Sequence, residues 1–152
     1  MMRPGLVFLL LITVFCGCGK EDAHGSAKGA LDGRWKLIAI KDKSTNQLLV
    51  PPPGSDNRVY LAFKGNRFSG QTMNNTITDG NFILNTSNSI TFENYSSSLA
   101  TENEWGSALL TVLAACMLQS IHPCAPSVIT WLSPDKIEIN TALRYTITLE
   151  KM

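Results

Sequence analysis

Hydrophobic and polar residues alternate along most of the chain after residue 33, and the alternation has a period of two. This period is typical of strands with one buried and one solvated face, as in an antiparallel sheet. It is clearest where Ile137 and Ile139 alternate with polar residues. The strands predicted in this way cover residues 34–41, 58–63, 67–73, 82–84, 89–93, 128–132, 136–140 and 143–150.

Turn-forming sequences separate these strands. Gly65-Asn66 predicts a tight hairpin, residues 78–81 (Thr-Asp-Gly-Asn) predict a second turn, and residues 133–135 (Ser-Pro-Asp) predict a third. Residues 51–54 (Pro-Pro-Pro-Gly) cannot join the interior of a sheet, so residues 43–57 are predicted to form a loop.

The periodicity changes to that of a helix after residue 101. Thr101 and Glu104 have the spacing of a capping box, in which each side chain satisfies a free backbone N–H at the start of a helix. Trp105, Leu109 and Val112 follow at helical spacing. Many short strands and one apolar helix predict a mainly β domain of the α+β class. We expect a rolled antiparallel sheet or a small barrel, with the helix packed on it or in it.

The N-terminal segment has the pattern of a bacterial lipoprotein signal. Arg3 precedes apolar residues 6–15, which at ~1.5 Å per residue cover about 15 Å, half of a bilayer core. This length fits a cleaved signal peptide, residues 1–17, better than a permanent transmembrane helix. Gly17 supplies the small residue that lipoprotein signal peptidase requires before Cys18. Cys18 is therefore the predicted lipidation site, and two or three acyl chains such as palmitate would hold the protein on its membrane.

The residues around Cys18 leave two questions open. An ordinary signal peptide cut nearby would leave Cys18 as a plain thiol. Residues 20–22 (Lys-Glu-Asp) resemble the surface-export tag of Bacteroidetes-type lipoproteins, which implies the outer face of the outer membrane; otherwise they belong to a solvated linker on either side. Residues 18–30 are predicted to be the lipidated cysteine and a flexible tether, of which the twelve residues after Cys18 reach about 20 Å.

Charge narrows the range of partners. The chain has 13 Lys and Arg residues and 12 Asp and Glu residues, and removal of residues 1–17 takes away one arginine, which leaves no formal net charge. Nucleic-acid binding needs a concentrated positive field, so that class of partner is not expected. The remaining candidates are the membrane itself, a protein partner and a small apolar ligand.

Two cysteines remain beside Cys18 after cleavage. Cys116 and Cys124 form an even pair, and in an oxidising compartment they are candidates for a disulfide. Alternatively, Cys116 is a small buried helix residue. His122 is the only histidine near these thiols, so no metal site is expected.

The sequence contains no recognisable catalytic constellation. His24 and His122 have no Ser or Asp placed to form a triad, and no phosphate-cradling loop is present. We therefore expect neither enzymatic activity nor a cofactor. The three tryptophans, Trp35, Trp105 and Trp131, lie on apolar faces and are predicted to be core. The polar runs 74–76 and 85–88 are either a recognition rim or solvated turns.

Short motifs resemble the META/HslJ-like domains. Residues 31–37 (Leu-Asp-Gly-Arg-Trp-Lys-Leu) resemble the opening strand of that family, and residues 63–70 (Phe-Lys-Gly-Asn-Arg-Phe-Ser-Gly) resemble its hairpin. Asn74-Asn75 and Gly80-Asn81-Phe82 follow, as do a helix and a C-terminal ladder. The family's cysteine pattern is missing. The resemblance covers residues 31–151 and implies an envelope lipoprotein with a compact β-rich domain and a poorly defined biochemical role.

Three hypotheses about function follow. The first is a lipid-anchored, non-enzymatic envelope protein that binds a partner or supports the envelope under stress. The second arises because residues 33–35 (Gly-Arg-Trp) also resemble the lipocalin start, which implies a carrier with a cavity of roughly 300 Å³ or more for a small apolar ligand. The third is a hydrolase or inhibitor at the surface.

Overall fold

The computed structural model describes residues 27–86, 88–119 and 124–152. Within them, eight strands form a closed antiparallel barrel in which each strand pairs with the next and the last pairs with the first. A short additional strand, β2, pairs with the end of β1. The strands are β1 (Gly33–Asp42), β2 (Gln47–Leu48), β3 (Tyr60–Lys64), β4 (Arg67–Gln71), β5 (Thr76–Thr86), β6 (Ser89–Ser97), β7 (Ser127–Ser133), β8 (Lys136–Asn140) and β9 (Tyr145–Lys151).

The alternation in the sequence is the alternation between the inside and the outside of this barrel. In β8, for example, Ile137 and Ile139 are buried while the residues beside them are not. The predicted class, mainly β with one helix in a small antiparallel barrel, is confirmed. Strand β2 was not expected, because it lies inside the segment predicted as a loop.

The hydrophobic core fills the inside of the barrel. The rings of Phe63 and Phe82 meet edge to face with centroids 5.4 Å apart, and those of Phe68 and Phe92 do so at 5.2 Å. Such edge-to-face pairs stabilise the core by more than the burial of their apolar area alone contributes. The largest fully buried side chains include Trp35, Phe82, Phe92, Leu61, Ile129 and Ile137.

A ten-residue helix, α2 (Glu104–Leu113), lies across one end of the barrel, which we call the α2 end. This end is formed by the end of β1 and by the β4–β5 and β8–β9 turns. The helix packs on β9, and the hydroxyl of Tyr95 on β6 donates to the carbonyl oxygen of Leu110 at 3.3 Å. Most of its side chains are buried, as the apolar periodicity predicts.

The predicted capping box is wrong. The N-cap of α2 is Asn103, whose side-chain oxygen accepts a hydrogen bond from the backbone N–H of Gly106 at 2.9 Å. Asn is as good an N-cap residue as Ser or Thr. Glu104 is exposed, and Glu102, just before the cap, is directed to the β4–β5 turn instead.

A short helix, α1 (Ala27–Leu31), lies at the opposite end, which we call the α1 end. Leu31 is buried, and its carbonyl oxygen accepts a hydrogen bond from the indole nitrogen of Trp35 at 2.7 Å. The tether prediction is therefore wrong for residues 27–30, which belong to α1. Burial of Leu31 orders the helical residues that precede it. Residues 18–26 lie outside the described residues.

Strands β6 and β7 share the shortest ladder in the barrel wall. Their paired residues are Ser89 with Val128 and Ile90 with Ser127.

The turn predicted at residues 78–81 is instead an irregularity inside β5. The strand continues through it, while its register shifts against both neighbouring strands. Asp79 has a φ of 54°, and a Cβ added to Gly80 would lie 2.6 Å from the ring of Phe68. Glycine is needed here because the Phe68 ring occupies the space of a side chain, so the Asp-Gly pair forms a bulge rather than a turn.

Candidate functional site

The described residues contain no group of three or more His, Cys, Asp or Glu side chains placed to bind a metal. None of the helices in this part of the chain has the length and apolar character needed to cross a membrane. Cys18, His24 and His122, which the sequence singles out, lie outside the described residues.

Cys116 and Cys124 are joined, with their Sγ atoms 2.02 Å apart. Helix α2 ends at Leu113, so Cys116 lies in the turns that follow it rather than on its face. The side chain of Gln119 adds a second clamp. Its Nε2 donates to the carbonyl oxygens of Ala115 and Ala125, and its Oε1 accepts from the N–H of Ala125 at 2.8 Å. Two independent links thus join the turns after α2 to the residues just before β7.

Replacing both cysteines with serine should lower the free energy of unfolding by about 2.5 kcal/mol, the value for an eight-residue loop in the chain-entropy model. Urea unfolding with and without reductant measures this. We expect reductant to destabilise the native protein and to leave the double variant unchanged. If reductant leaves the native protein unchanged as well, the disulfide contributes nothing to its stability.

A buried polar cluster at the α2 end joins the β4–β5 turn to the segment before α2. The carboxylate of Glu102 accepts hydrogen bonds from the hydroxyl of Thr72, from the side-chain amide of Asn75 at 2.9 Å and from the N–H of Asn103 at 3.1 Å. Asn75 also donates to the carbonyl oxygen of Ala100 and accepts from its N–H, both at 2.9 Å. Asn75 is therefore a structural connector and not part of a recognition rim.

The ionisation of Glu102 is set by two opposing effects. Burial raises the pKa of this carboxyl, but the hydrogen bonds from Thr72, Asn75 and the backbone outweigh it and hold the pKa below its ordinary value. A carboxylate that is ionised and fully engaged at neutral pH cannot act as a general acid there.

A second carboxylate, that of Asp42, is equally occupied. The Nε of Arg144 donates to it at 2.8 Å, a second guanidinium nitrogen also donates, and the hydroxyl of Ser44 donates at 2.6 Å. The Arg144 hydrogen bonds and then those of Ser44 hold the pKa of Asp42 far below its usual range. This pair fastens the β8–β9 turn to the end of β1.

Sequence reasoning missed both clusters. Asp42 and Arg144 are 102 residues apart, and Glu102 and Thr72 are 30 residues apart. No local spacing links such pairs, because barrel closure brings them together.

A hollow of about 210 Å³ lies on the outer face of β3, β4 and β5. Its cations, Lys64 and Arg67, are paired across the β3–β4 turn at the α1 end. Phe68 also lines it, and small residues leave the space open. The other lining residues are Ala62, Ser69, Asp79 and Gly80.

The tryptophans lie mainly where their apolar patterns predict. Trp35 and Trp105 are buried, and Trp131 is half-buried with its ring edge to face on Trp35 at 6.1 Å. The indole nitrogen of Trp105 is a buried donor with no acceptor among the described residues. An unpaired buried donor is unusual in a native structure.

Comparison with known proteins shows the fold and nothing finer. No protein-family model matches the chain, and no curated protein matches it significantly. A solved structure described as "NMR structure of the protein from Burkholderia xenovorans" is similar, with a TM-score of 0.57 and 18% sequence identity over 83% of this chain and 86% of that one. At this identity the similarity establishes a shared barrel fold only.

Proposed function

We propose that the protein is a lipid-anchored, non-enzymatic component of the bacterial cell envelope that binds a partner through the outside of its barrel. The observation that carries the proposal is the Gly17-Cys18 junction after an apolar segment of ten residues. The packed interior and the fully engaged carboxylates of Asp42 and Glu102 support a binding role over a catalytic one. The META/HslJ-like resemblance points to the same class of protein.

The direction of the chain supports a definite orientation. An anchor at Cys18 precedes α1 by eight residues, and α1 and the start of β1 lie at the α1 end. A tether of that length reaches about 15 Å. The α1 end would therefore stay near the membrane, and the α2 end would point away from it.

Exposed apolar side chains at the α2 end support a protein partner there. Leu99 is 98% exposed, Val50 is 86% exposed and Leu48 is 68% exposed. Single exposed apolar residues are common on soluble domains, but these three follow or flank strands that end at the same side of the barrel. We propose this side as the partner-facing one, on the outer face of the outer membrane as the residues after Cys18 imply.

Replacing Cys18 with alanine should abolish acylation. We expect native protein from cells fed labelled palmitate to carry the label and to lack residues 1–17, whereas Cys18→Ala carries no label and keeps them. Cys16→Ala, two residues away in the same segment, is the matched control and should stay labelled. Label retained in Cys18→Ala, or lost in Cys16→Ala, would reject Cys18 as the anchor.

A carrier of a small apolar ligand is the second candidate, favoured by the unpaired indole nitrogen of Trp105. A ligand with an oxygen acceptor, such as a fatty acid, would satisfy that donor. Displacement of core side chains would be required, because the aromatic rings already fill the barrel. This candidate predicts a saturable change in tryptophan fluorescence with fatty acid that Trp105→Phe removes. An unchanged spectrum would eliminate it.

A further inference from the structure

The outer hollow at the α1 end is lined by two cations and one carboxylate. Lys64 and Arg67 are exposed and adjacent across the β3–β4 turn. Among the described residues, neither of them takes part in a salt bridge. The single carboxylate in the lining, that of Asp79, leaves the hollow with a net charge of +1.

The shape of the hollow lets an anion approach both cations together. The hollow has depth because two residues with small side chains, Ala62 and Ser69, are paired across β3 and β4. The bulge at Asp79 and Gly80 lies at its edge. A group in this space can meet the hydroxyl of Ser69 as well as the cationic side chains. An arginine, a lysine and a hydroxyl that line one hollow are groups that bind phosphate oxygens.

A third cation lies on the neighbouring strand. The guanidinium of Arg34 stacks on the ring of Tyr60 with its carbon 3.6 Å from the ring centroid. Arg34 pairs with Ala62, the floor residue of the hollow. Arg34 and Tyr60 do not line the hollow, but their stacking orders a further positive charge on the strand next to it.

The position of the hollow links it to the anchor. The N–H of Gly65, in the turn between Lys64 and Arg67, donates to the side chain of Asp32 at 2.8 Å. Asp32 is the residue between α1 and β1, so this hydrogen bond fixes the turn to the point where the tether joins the barrel. If the proposed anchor at Cys18 exists, the turn is held near lipid head groups.

We propose that the hollow formed by Lys64, Arg67 and Ser69 is a binding site for a phosphate group. The same chemistry is supplied by the head group of an anionic phospholipid and by a free phosphate. The lipid source rests on the proposed anchoring, whereas binding of free phosphate does not. The two sources are therefore distinguishable by experiment.

The test measures the rate at which an amine-reactive reagent labels Lys64, by mass spectrometry of the full chain. Lys41, exposed on β1 toward the α2 end, is the internal control. In a neutral detergent, inorganic phosphate at about four times its Kd should slow labelling of Lys64 about fivefold. In phosphatidylcholine vesicles, added phosphatidylglycerol should slow labelling of Lys64 roughly fivefold, the size of effect expected for a lysine at an anionic surface. Labelling of Lys41 should be unchanged in both.

Each outcome has one meaning. Protection by phosphatidylglycerol that Arg67→Ala removes identifies a lipid head group as the ligand, and protection by inorganic phosphate alone identifies a free phosphate. Arg67→Ala should remove the protection of Lys64, and Arg58→Ala, an exposed arginine at the α2 end, should preserve it. The proposal is overturned if neither ligand slows the labelling of Lys64 more than that of Lys41. It is also overturned if Arg67→Ala leaves the protection of Lys64 unchanged. A failure of palmitate labelling at Cys18 would remove the anchor but not binding of free phosphate in detergent.

Discussion

Replacing Trp35 with alanine should lower the free energy of unfolding by about 3–5 kcal/mol. The indole is fully buried at the α1 end, where its ring meets Trp131 edge to face and its nitrogen donates to the carbonyl oxygen of Leu31. The substitution opens a large cavity among β-strands that cannot collapse independently, because each is held by ladders on both sides. It also removes the hydrogen bond that fixes α1.

Urea unfolding followed by far-UV circular dichroism measures this loss. Trp131→Ala is the matched control: the same ring is removed from a half-buried position, and we expect a loss of about 1–2 kcal/mol. Trp35→Phe keeps an aromatic ring but not the N–H donor, so its loss of unfolding free energy should lie between those of Trp35→Ala and Trp131→Ala. Equal losses for Trp35→Ala and Trp131→Ala would show that the barrel interior is not packed as described.

Replacing Glu102 with alanine should lower the free energy of unfolding by about 3 kcal/mol, because it leaves buried donors of Thr72 and Asn75 without their acceptor. The Glu102→Gln variant is nearly isosteric, and its carbonyl oxygen can take the place of Oε2, which accepts from both Thr72 and Asn75. Its amide nitrogen cannot accept from the N–H of Asn103 as Oε1 does, so we expect an intermediate loss. A Glu102→Ala variant as stable as the native protein would show that the cluster does not hold the α2 segment on the barrel.

The same carboxylate predicts a dependence of stability on pH. Its folded-state pKa lies below the ordinary value of 4.5, so the unfolded chain binds more protons in that range. The stabilisation is complete above the ordinary value and is lost as the pH falls through the lower, folded value. The urea midpoint of the native protein should therefore fall more steeply below about pH 4.5 than that of Glu102→Gln. Parallel curves for the two proteins would contradict the assignment.

Features with a local cause could be predicted from the sequence. The strand containing Ile137 and Ile139 follows from alternation, and the turns at Gly65 and Pro134 follow from residue type. The Asp79-Gly80 pair shows the limit of this reasoning. A positive φ followed by glycine suits a turn and a bulge equally, and only the continued pairing of β5 with its neighbours decides between them.

The functional candidates depend on contacts that no local pattern contains. Asn75 was indistinguishable from its neighbour Asn74 in the sequence, yet only Asn75 is buried, because its amide complements the backbone of Ala100. The hollow beside Lys64 likewise arises from the register of three strands. Sequence reasoning supplied the candidate anchor at Cys18, whereas the binding face on the barrel required the fold.

The mass of the intact protein extracted from the membrane is the most direct test of the anchored-module account. We predict a chain that begins at Cys18 and carries a diglyceride on its sulfur, with a further acyl chain on the new N-terminus where that modification occurs. A chain that still contains residues 1–17, or one processed there with an unmodified sulfur, would contradict it.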